Sequence, residues 1–162
     1  MVRMRSPVRS WTTAYYKPLM AVFLFDCYNI AMKKIIIVFI FSFALNLIWE
    51  NLHSFLYLNY RGGEISQLIL LRATLFDAIM ITAMYVVFLN IKYFKDRLWW
   101  SLIFGFIISL IIELYAKHAD RWSYNSLMPI VPFLNLGLTP LIQLGLISYV
   151  VFKFISLRER SY

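Results

Sequence analysis

The chain has 162 residues, of which 62% are hydrophobic and 19% aromatic, whereas only 15% are charged. An average soluble domain is about 45–50% apolar and about 25% charged, so this composition excludes a water-soluble globule and a disordered tail. A formal net charge of +8 would suggest nucleic acid as the partner of a soluble protein. A membrane helix needs about 20 residues, so the chain instead has room for about four or five spans and for no soluble domain. We therefore expect no nucleic-acid partner.

The first 31 residues differ from the rest of the chain. Residues 18–31 form a short apolar run with two polar interruptions, too short to cross a bilayer comfortably. Met32, two lysines and a longer apolar run then follow, which is typical of the start of a bacterial membrane protein. We therefore expect residues 1–31 to be an extension upstream of the true start, or else an interfacial helix, and residues 32–162 to be the membrane domain.

Four long apolar stretches follow, and each is predicted to be a helix because a span in lipid must satisfy its own backbone hydrogen bonds. They cover approximately residues 35–57, 67–90, 98–117 and 130–155. The prolines place the start of the last helix near Pro129 or Pro132 and a kink or local opening near Pro140. The sequence thus predicts an all-α fold, a polytopic membrane four-helix bundle.

The Lys and Arg residues are distributed unequally between the two sides of this bundle. Six lie before residue 35, three between residues 92 and 97 and three after residue 152, which makes twelve on one side. The other side has only Arg61, Lys117 and Arg121, while Arg72 lies inside a span. Cytoplasmic loops carry the excess of Lys and Arg, so we expect a multi-pass protein of the cell membrane (the inner or plasma membrane) with both termini cytoplasmic.

Three of the predicted spans carry polar or small residues at four-residue intervals, which places them on one face of a helix. These residues are Ser42, Asn46 and Glu50 in the first span, Ser101, Gly105, Ser109, Glu113 and Lys117 in the third, and Asn135, Thr139 and Gln143 in the fourth. Such faces are expected to meet inside a bundle. For Ser101, Gly105 and Ser109 we favour a small-residue packing face over a substrate-lining role.

Three carboxylates lie within apolar spans: Glu50, Asp77 and Glu113. An ionised carboxylate at mid-bilayer costs on the order of 3 kcal/mol, so a compensating group is expected. Arg72 is the first candidate for a counter-charge, and Arg121 is another. Two interpretations stay open: a buried ion-pair network that fixes helix register, and a ligand site that opens to the extracytoplasmic side.

The sequence offers little support for a metal or a cofactor. Glu50 and His53 form a Glu-x-x-His motif, but a di-iron bundle needs two such motifs and the chain has one. A single ion held by these two residues and either Asp77 or Glu113 is a minor alternative. No phosphate loop, dinucleotide fingerprint or nucleophile elbow occurs. We therefore predict no resident metal and no cofactor.

A series of short elements surrounds the three carboxylates. They are Trp49-Glu50 with Tyr57 beyond, Asp77, Glu113, Arg121-Trp122-x-Tyr124, Met128-Pro129, Gly137-Leu138-x-Pro140-Leu141 and Gln143. Over residues 46–150 this pattern resembles an uncharacterised family of small bacterial four-helix integral membrane proteins, except that Phe76 stands where that family often has Gly. The resemblance brings no activity with it, and it implies that Glu50, Asp77, Glu113 and Gln143 belong together.

These observations predict an acid/base enzyme that acts on a lipid-like or isoprenoid substrate, with Glu50, Asp77 and Glu113 as the catalytic residues. The predicted substrate-binding residues are His53, Arg72, Arg121, Trp122, Tyr124, Asn135 and Gln143. One alternative is a protein that binds or transports a small solute, a proton or a cation, although four helices without an inverted repeat count against a transporter. The other is a structural subunit. The expected partners are membrane lipid, a lipid-like small molecule, a second copy of the chain or a partner subunit.

The predicted orientation can be tested with reporter fusions. A fusion after Lys95 is expected to report from the cytoplasm, and fusions after Gly63 and Ser123 from the other side, because the Lys and Arg imbalance sets the topology. Phosphatase and fluorescent-protein reporters at the same positions provide opposite readouts. An extracytoplasmic signal after Lys95 would show that the orientation is wrong.

Overall fold

The computed structural model describes the backbone of residues 11–160 and the side chains of residues 28–157. The structure is mostly helical (74%), which agrees with the predicted all-α class. The helices are α1 (Trp11–His53), α2 (Gln67–Asn90), the short α3 (Lys92–Lys95), α4 (Trp100–His118) and α5 (Leu138–Arg160), with a 3-10 turn at Ser54–Leu56. Four short strands complete it: β1 (Tyr57–Tyr60), β2 (Trp122–Tyr124), β3 (Ile130–Val131) and β4 (Leu136–Gly137).

The chain divides into two compact units, Met1–Lys34 and Ile35–Tyr162. The described backbone of the first unit is helical from Trp11 onward. We predicted that residues 1–31 are an extension or an interfacial segment. The side chains of residues 1–27 lie outside the described residues, so this stays a prediction. The second unit contains the remaining helices, all four strands and every residue of the site described below.

Four helical segments are long and apolar enough to cross a membrane: Tyr28–Leu56, Gln67–Asn90, Trp100–His118 and Leu138–Leu157. The second and third closely match the spans expected from the sequence. The fourth begins at Leu138, whereas the prolines predicted a start near residue 129 or 132. The reason is that residues 130–137 form the antiparallel β3–β4 pair, so that Pro140 falls in the first turn of the helix, where proline is tolerated.

Helices α4 and α5 cross at very short range through two glycines. A Cβ atom added to Gly105 would lie 2.3 Å from the Cα atom of Gly145, and one added to Gly145 would lie 2.7 Å from the carbonyl oxygen of Leu102. On the same face of α4, Ser101 and Ser109 are buried. Small residues let helix backbones approach closely in membranes, and Gly105 packs as expected for this face of α4. Ser109, on the same face, lines the cavity described below instead.

A short antiparallel sheet joins the connection before α2 to the connection after α4. In it β1 pairs with β2, and the register places Tyr57 opposite Tyr124 and Tyr60 opposite Trp122. The backbone N–H of Arg61 also donates to the carbonyl oxygen of Arg121 over 2.7 Å. This sheet therefore holds the aromatic residues of both connections over the same end of the helices.

The opposite end of the same unit is filled by apolar and aromatic side chains. Phe88 on α2 packs against Phe104 on α4 and Phe152 on α5, with ring centroids 6.1 and 5.4 Å away. Ile81 and Val151 are completely buried in the same cluster. The buried carboxyl groups of Glu50 and Glu113 lie instead within a turn or two of the helix ends that carry the β1–β2 sheet.

The close crossing of α4 and α5 predicts a large effect for a very small substitution. Gly105→Ala should lower the free energy of unfolding by about 1–3 kcal/mol, because the added methyl group forces the two backbones apart. Thermal unfolding in detergent measures the effect. Gly63→Ala is the matched control, since the added Cβ would meet its nearest neighbour at 3.7 Å. Equal unfolding temperatures for both variants would contradict the crossing.

Candidate functional site

Polar side chains from three helices meet around the amide of Gln143 on α5. Its Nε2 atom donates to Oε1 of Glu50 at 2.7 Å, to Oδ2 of Asp77 at 2.9 Å and to Oδ1 of Asn46 at 3.0 Å. All four side chains are buried. An amide nitrogen carries two hydrogens, so three acceptors share two donors. This residue is therefore the common partner of α1 and α2 at this depth.

The carboxyl groups of Glu50 and Asp77 are close neighbours, because one oxygen of each lies within 2.9 Å of the same nitrogen, Nε2 of Gln143. Two negative charges held this close repel each other, so ionisation of one carboxyl group disfavours ionisation of the other. The pair can therefore carry one negative charge and one transferable proton.

The third carboxylate, Glu113 on α4, has a separate set of partners. Its Oε2 atom accepts a short hydrogen bond from the hydroxyl of Tyr124 and a longer one, 3.4 Å, from Nε1 of Trp122. Both donors belong to β2, which brings them back over the end of α4. Glu113 thus accepts from a phenol and an indole, whereas Glu50 and Asp77 accept from one amide, so the two carboxyl sites differ in their hydrogen-bond partners.

Tyr57 on β1 lies between these two groups of carboxyls. Its hydroxyl is 3.3 Å from Nε2 of His53, and its ring centroid is 5.6 Å from that of Tyr124. Burial raises the pKa of the Tyr57 phenol well above its usual value, and the negative charges of Glu113 and Glu50 raise it further. The phenol therefore stays protonated and can donate a hydrogen bond.

A cavity of about 590 Å³ connects these groups. Its polar lining includes Glu50, His53, Tyr57, Asp77, Ser109, Glu113 and Gln143, and most of the remaining wall is apolar. The hydroxyl of Ser109 is buried and has no hydrogen-bond partner among the described residues. A volume of this size and polarity is typical of a binding site for a mainly apolar small molecule.

The structure places both residues expected as counter-charges in the wall of the cavity. Arg72 and Arg121 line the cavity, but within the described residues no cationic atom lies within 4.0 Å of a carboxylate oxygen of Glu50, Asp77 or Glu113. The described residues thus contain no direct ion pair with these carboxyls, and a counter-charge role for the two arginines across the cavity stays a prediction. Hydrogen-bond donors compensate the buried carboxyls instead.

Asn135, predicted as a substrate-binding residue, lies away from the cavity. The predicted four-residue interval with Thr139 and Gln143 fails because α5 begins only at Leu138. Asn135 is exposed in the connection between β3 and β4, with a φ of 51°, and its carbonyl oxygen accepts a hydrogen bond from Nζ of Lys117 at 3.3 Å. This bond joins the connection to the end of α4.

Four of the predicted substrate-binding residues contact the site through their hydrogen bonds: Trp122 and Gln143, as described above, and His53 and Tyr124. His53 lines the cavity, with Nδ1 3.1 Å from the carbonyl oxygen of Trp49 and Nε2 near Tyr57. Tyr124 reaches the site through Glu113. Among the residues that the structure describes, no group of three His, Cys, Asp or Glu side chains is placed to hold a metal ion.

Comparisons with protein-family models, with curated proteins and with solved structures find no match for this chain.

Two residues of the site were not among the sequence-predicted site residues. Asn46 was recognised on the polar face of the first span, and its four-residue spacing from Glu50 is the signal that could have included it. Tyr57 lies just beyond the span, and only the β1–β2 pairing brings it to the carboxyls. No local sequence pattern indicates that pairing.

The hydrogen bond between Tyr124 and Glu113 has a measurable consequence at high pH. Burial raises the pKa of Tyr124 to about 12, and the adjacent carboxylate contributes in the same direction. The folded protein thus retains this proton between pH 10 and 12, where an unfolded chain releases it, so the stability that this group contributes is lost across that interval.

Phenolate absorbance of the wild type and of Tyr124→Phe, titrated in detergent, measures this shift. The difference between the two curves should titrate near pH 12. A difference curve centred near the ordinary tyrosine value of about 10 would contradict the contact.

Proposed function

We propose that this chain is an integral membrane enzyme that performs acid/base chemistry on a lipid-like or isoprenoid substrate. The observation that carries the proposal is the presence, in one largely apolar cavity, of two chemically distinct carboxyl sites. One is the pair Glu50–Asp77, which accepts from the Gln143 amide, and the other is Glu113, which accepts hydrogen bonds from Tyr124 and Trp122. Two carboxyl sites whose environments differ can divide the roles of acid and base.

The reaction type that this arrangement supports is a proton relocation on carbon. The Glu50–Asp77 pair gives its proton to one carbon of a double bond, which leaves a positive charge on the other carbon of that bond. Glu113 then takes a proton from the next carbon, the one attached to the positively charged carbon. The double bond then moves by one position, and no oxidant or reductant is needed. The pair regains a proton from solvent and Glu113 returns its own, so the enzyme ends as it began.

The competing interpretation, an ion pair that fixes helix register, loses its main support. It requires a cation beside the buried carboxylates, and the hydrogen-bond donor there is Gln143. A bundle with a purely structural role is stabilised by close packing, whereas this one contains a cavity lined by carboxyls and by the Ser109 hydroxyl, which has no partner among the described residues. Both features favour a ligand site.

We further propose that the protein is a multi-pass protein of the cell membrane with both termini in the cytoplasm. The twelve-to-three distribution of Lys and Arg supports this orientation. The first two connections of the chain then lie on opposite sides, and the β1–β2 sheet lies on the extracytoplasmic side with the cavity beneath it. The resemblance to small bacterial four-helix membrane proteins is compatible with this assignment.

Glu50→Gln tests the chemistry, because it removes an ionisable carboxyl group while keeping the shape. The protein in vesicles of phosphatidylcholine and a polyprenyl lipid is incubated in D₂O, and the lipid is analysed by mass spectrometry. The wild type should introduce deuterium at carbon, and the variant should be slower by a factor of about 100 or more. Glu64→Gln is the matched control, since Glu64 is exposed and does not line the cavity.

Glu113→Gln separates the chemical role from a structural one. The amide oxygen can still accept the hydrogen bond from Tyr124, so we expect the free energy of unfolding to change by less than about 1 kcal/mol while deuterium incorporation is lost. Loss of a buried ion-pair partner would instead cost about 3–5 kcal/mol. A loss of that size, with deuterium incorporation retained, would contradict the proposal.

A proton-binding or proton-transporting protein is the second candidate, and the Glu50–Asp77 pair favours it over a solute transporter. A pH-sensitive dye trapped in the same vesicles detects it. Proton uptake that depends on Glu50 and Asp77, without deuterium in any lipid, would replace the enzyme by this alternative.

A further inference from the structure

The wall of the cavity that is formed by α2 and α4 is exposed. Its most exposed side chains lie on these two helices: Phe76 is 50% exposed, Ile111 61% and Tyr115 58%. Both helices are long and apolar enough to cross a membrane, so in a bilayer these side chains contact lipid. A molecule dissolved in the bilayer can therefore enter between α2 and α4 without passing through water.

Two arginines line the same cavity. Arg72 is exposed on α2 and forms no hydrogen bond, ion pair or ring contact with any described residue. The guanidinium carbon of Arg121 lies 5.1 Å from the centre of the Tyr115 ring, and its N–H groups meet no acceptor in the described part of the chain. An arginine within an apolar span is costly, and a bound anion would compensate it with charge-assisted hydrogen bonds.

On α2, and at the end of α4, the arginine and the carboxyl of each element lie at different depths. Arg72 precedes Asp77 by five residues of α2, which is about 7.5 Å along the helix axis. Arg121 follows the end of α4, whereas Glu113 lies inside that helix. In each of these two pairs the arginine is thus nearer than the carboxyl to the end that carries the β1–β2 sheet. Going inward along α2 and α4, the cavity wall therefore presents an arginine before it presents a carboxyl.

We propose that the cavity binds an amphiphile with a phosphate-bearing, anionic headgroup and an apolar chain. The headgroup lies at Arg72 and Arg121, and the chain follows Phe76 and Ile111 inward, which places chain carbons beside the carboxyls. The inference deepens the proposed function and rests on it for the reaction that the chain undergoes. A lipid is favoured over free phosphate because most of the wall is apolar and open to the bilayer.

Native mass spectrometry of the full chain in detergent tests this binding without turnover. The ligands are phosphatidylglycerol, phosphatidylcholine with the same acyl chains, and inorganic phosphate. We expect phosphatidylglycerol to bind roughly tenfold more tightly than phosphatidylcholine. Arg72→Gln and Arg121→Gln should each weaken it by roughly tenfold, since each removes a charge-assisted contact to the phosphate.

Two control variants remove a positive charge outside the cavity. Arg61→Gln lies at the same end of the molecule and Arg97→Gln at the other, and neither residue lines the cavity. Both should bind phosphatidylglycerol like the wild type. Equal affinity for the two lipids, or equal weakening by Arg61→Gln and Arg72→Gln, would overturn the assignment. Binding of inorganic phosphate as tight as that of the lipid would show that the site takes a free anion.

The same measurement on Glu50→Gln keeps the two proposals apart. This variant should retain phosphatidylglycerol binding, because the headgroup site does not include Glu50, although it should lose the acid/base activity. Arginine-dependent lipid binding without deuterium chemistry in the wild type would overturn only the proposed reaction. Chemistry without any dependence of binding on Arg72 and Arg121 would overturn only the headgroup site.

Discussion

The structure depends on how three carboxyl groups are accommodated inside apolar helices. An unpaired charge there costs several kcal/mol, and a counter-ion is the familiar remedy. Here the amide of Gln143 donates to Glu50 and Asp77, and Tyr124 and Trp122 donate to Glu113. Because this solution uses neutral donors, the two arginines of the cavity remain without a carboxylate partner and are available to a ligand.

Two packing features hold the donors in place. The contact of Gly105 with Gly145 fixes α5 against α4, and α5 carries Gln143. The β1–β2 sheet returns Tyr57 and Tyr124 over the helix ends. Both features lie in the unit Ile35–Tyr162, so the site is assembled within one compact part of the chain.

The aromatic cluster around Phe88 fills the opposite end of this unit. The most exposed side chains of the cavity lining lie on α2 and α4.

The arrangement has the chemical character of an amphiphile site. Arginines suit an anionic group, apolar walls suit a chain, and carboxyls suit proton transfer. The presence of all three in one cavity is the reason we propose an enzyme of lipid-like substrates and not a structural subunit.

The sequence by itself determined the membrane character, the second and third spans and the grouping of Glu50, Asp77, Glu113 and Gln143. Apolar length and four-residue spacing, which are local properties of a helix, predicted the spans and the polar faces that carry Glu50, Glu113 and Gln143. Asp77 lies on no such interval, and its place in the group was implied by the resemblance. Only the tertiary structure decided the start of α5, the role of Tyr57 and the absence of a cation beside the described carboxyls. The start of α5 follows from the pairing of β3 with β4, and the position of Tyr57 follows from the pairing of β1 with β2. The carboxyls of Glu50 and Asp77 need no adjacent cation because the Gln143 amide donates to both. Such contacts join residues far apart in the chain, and helical periodicity carries no information about them.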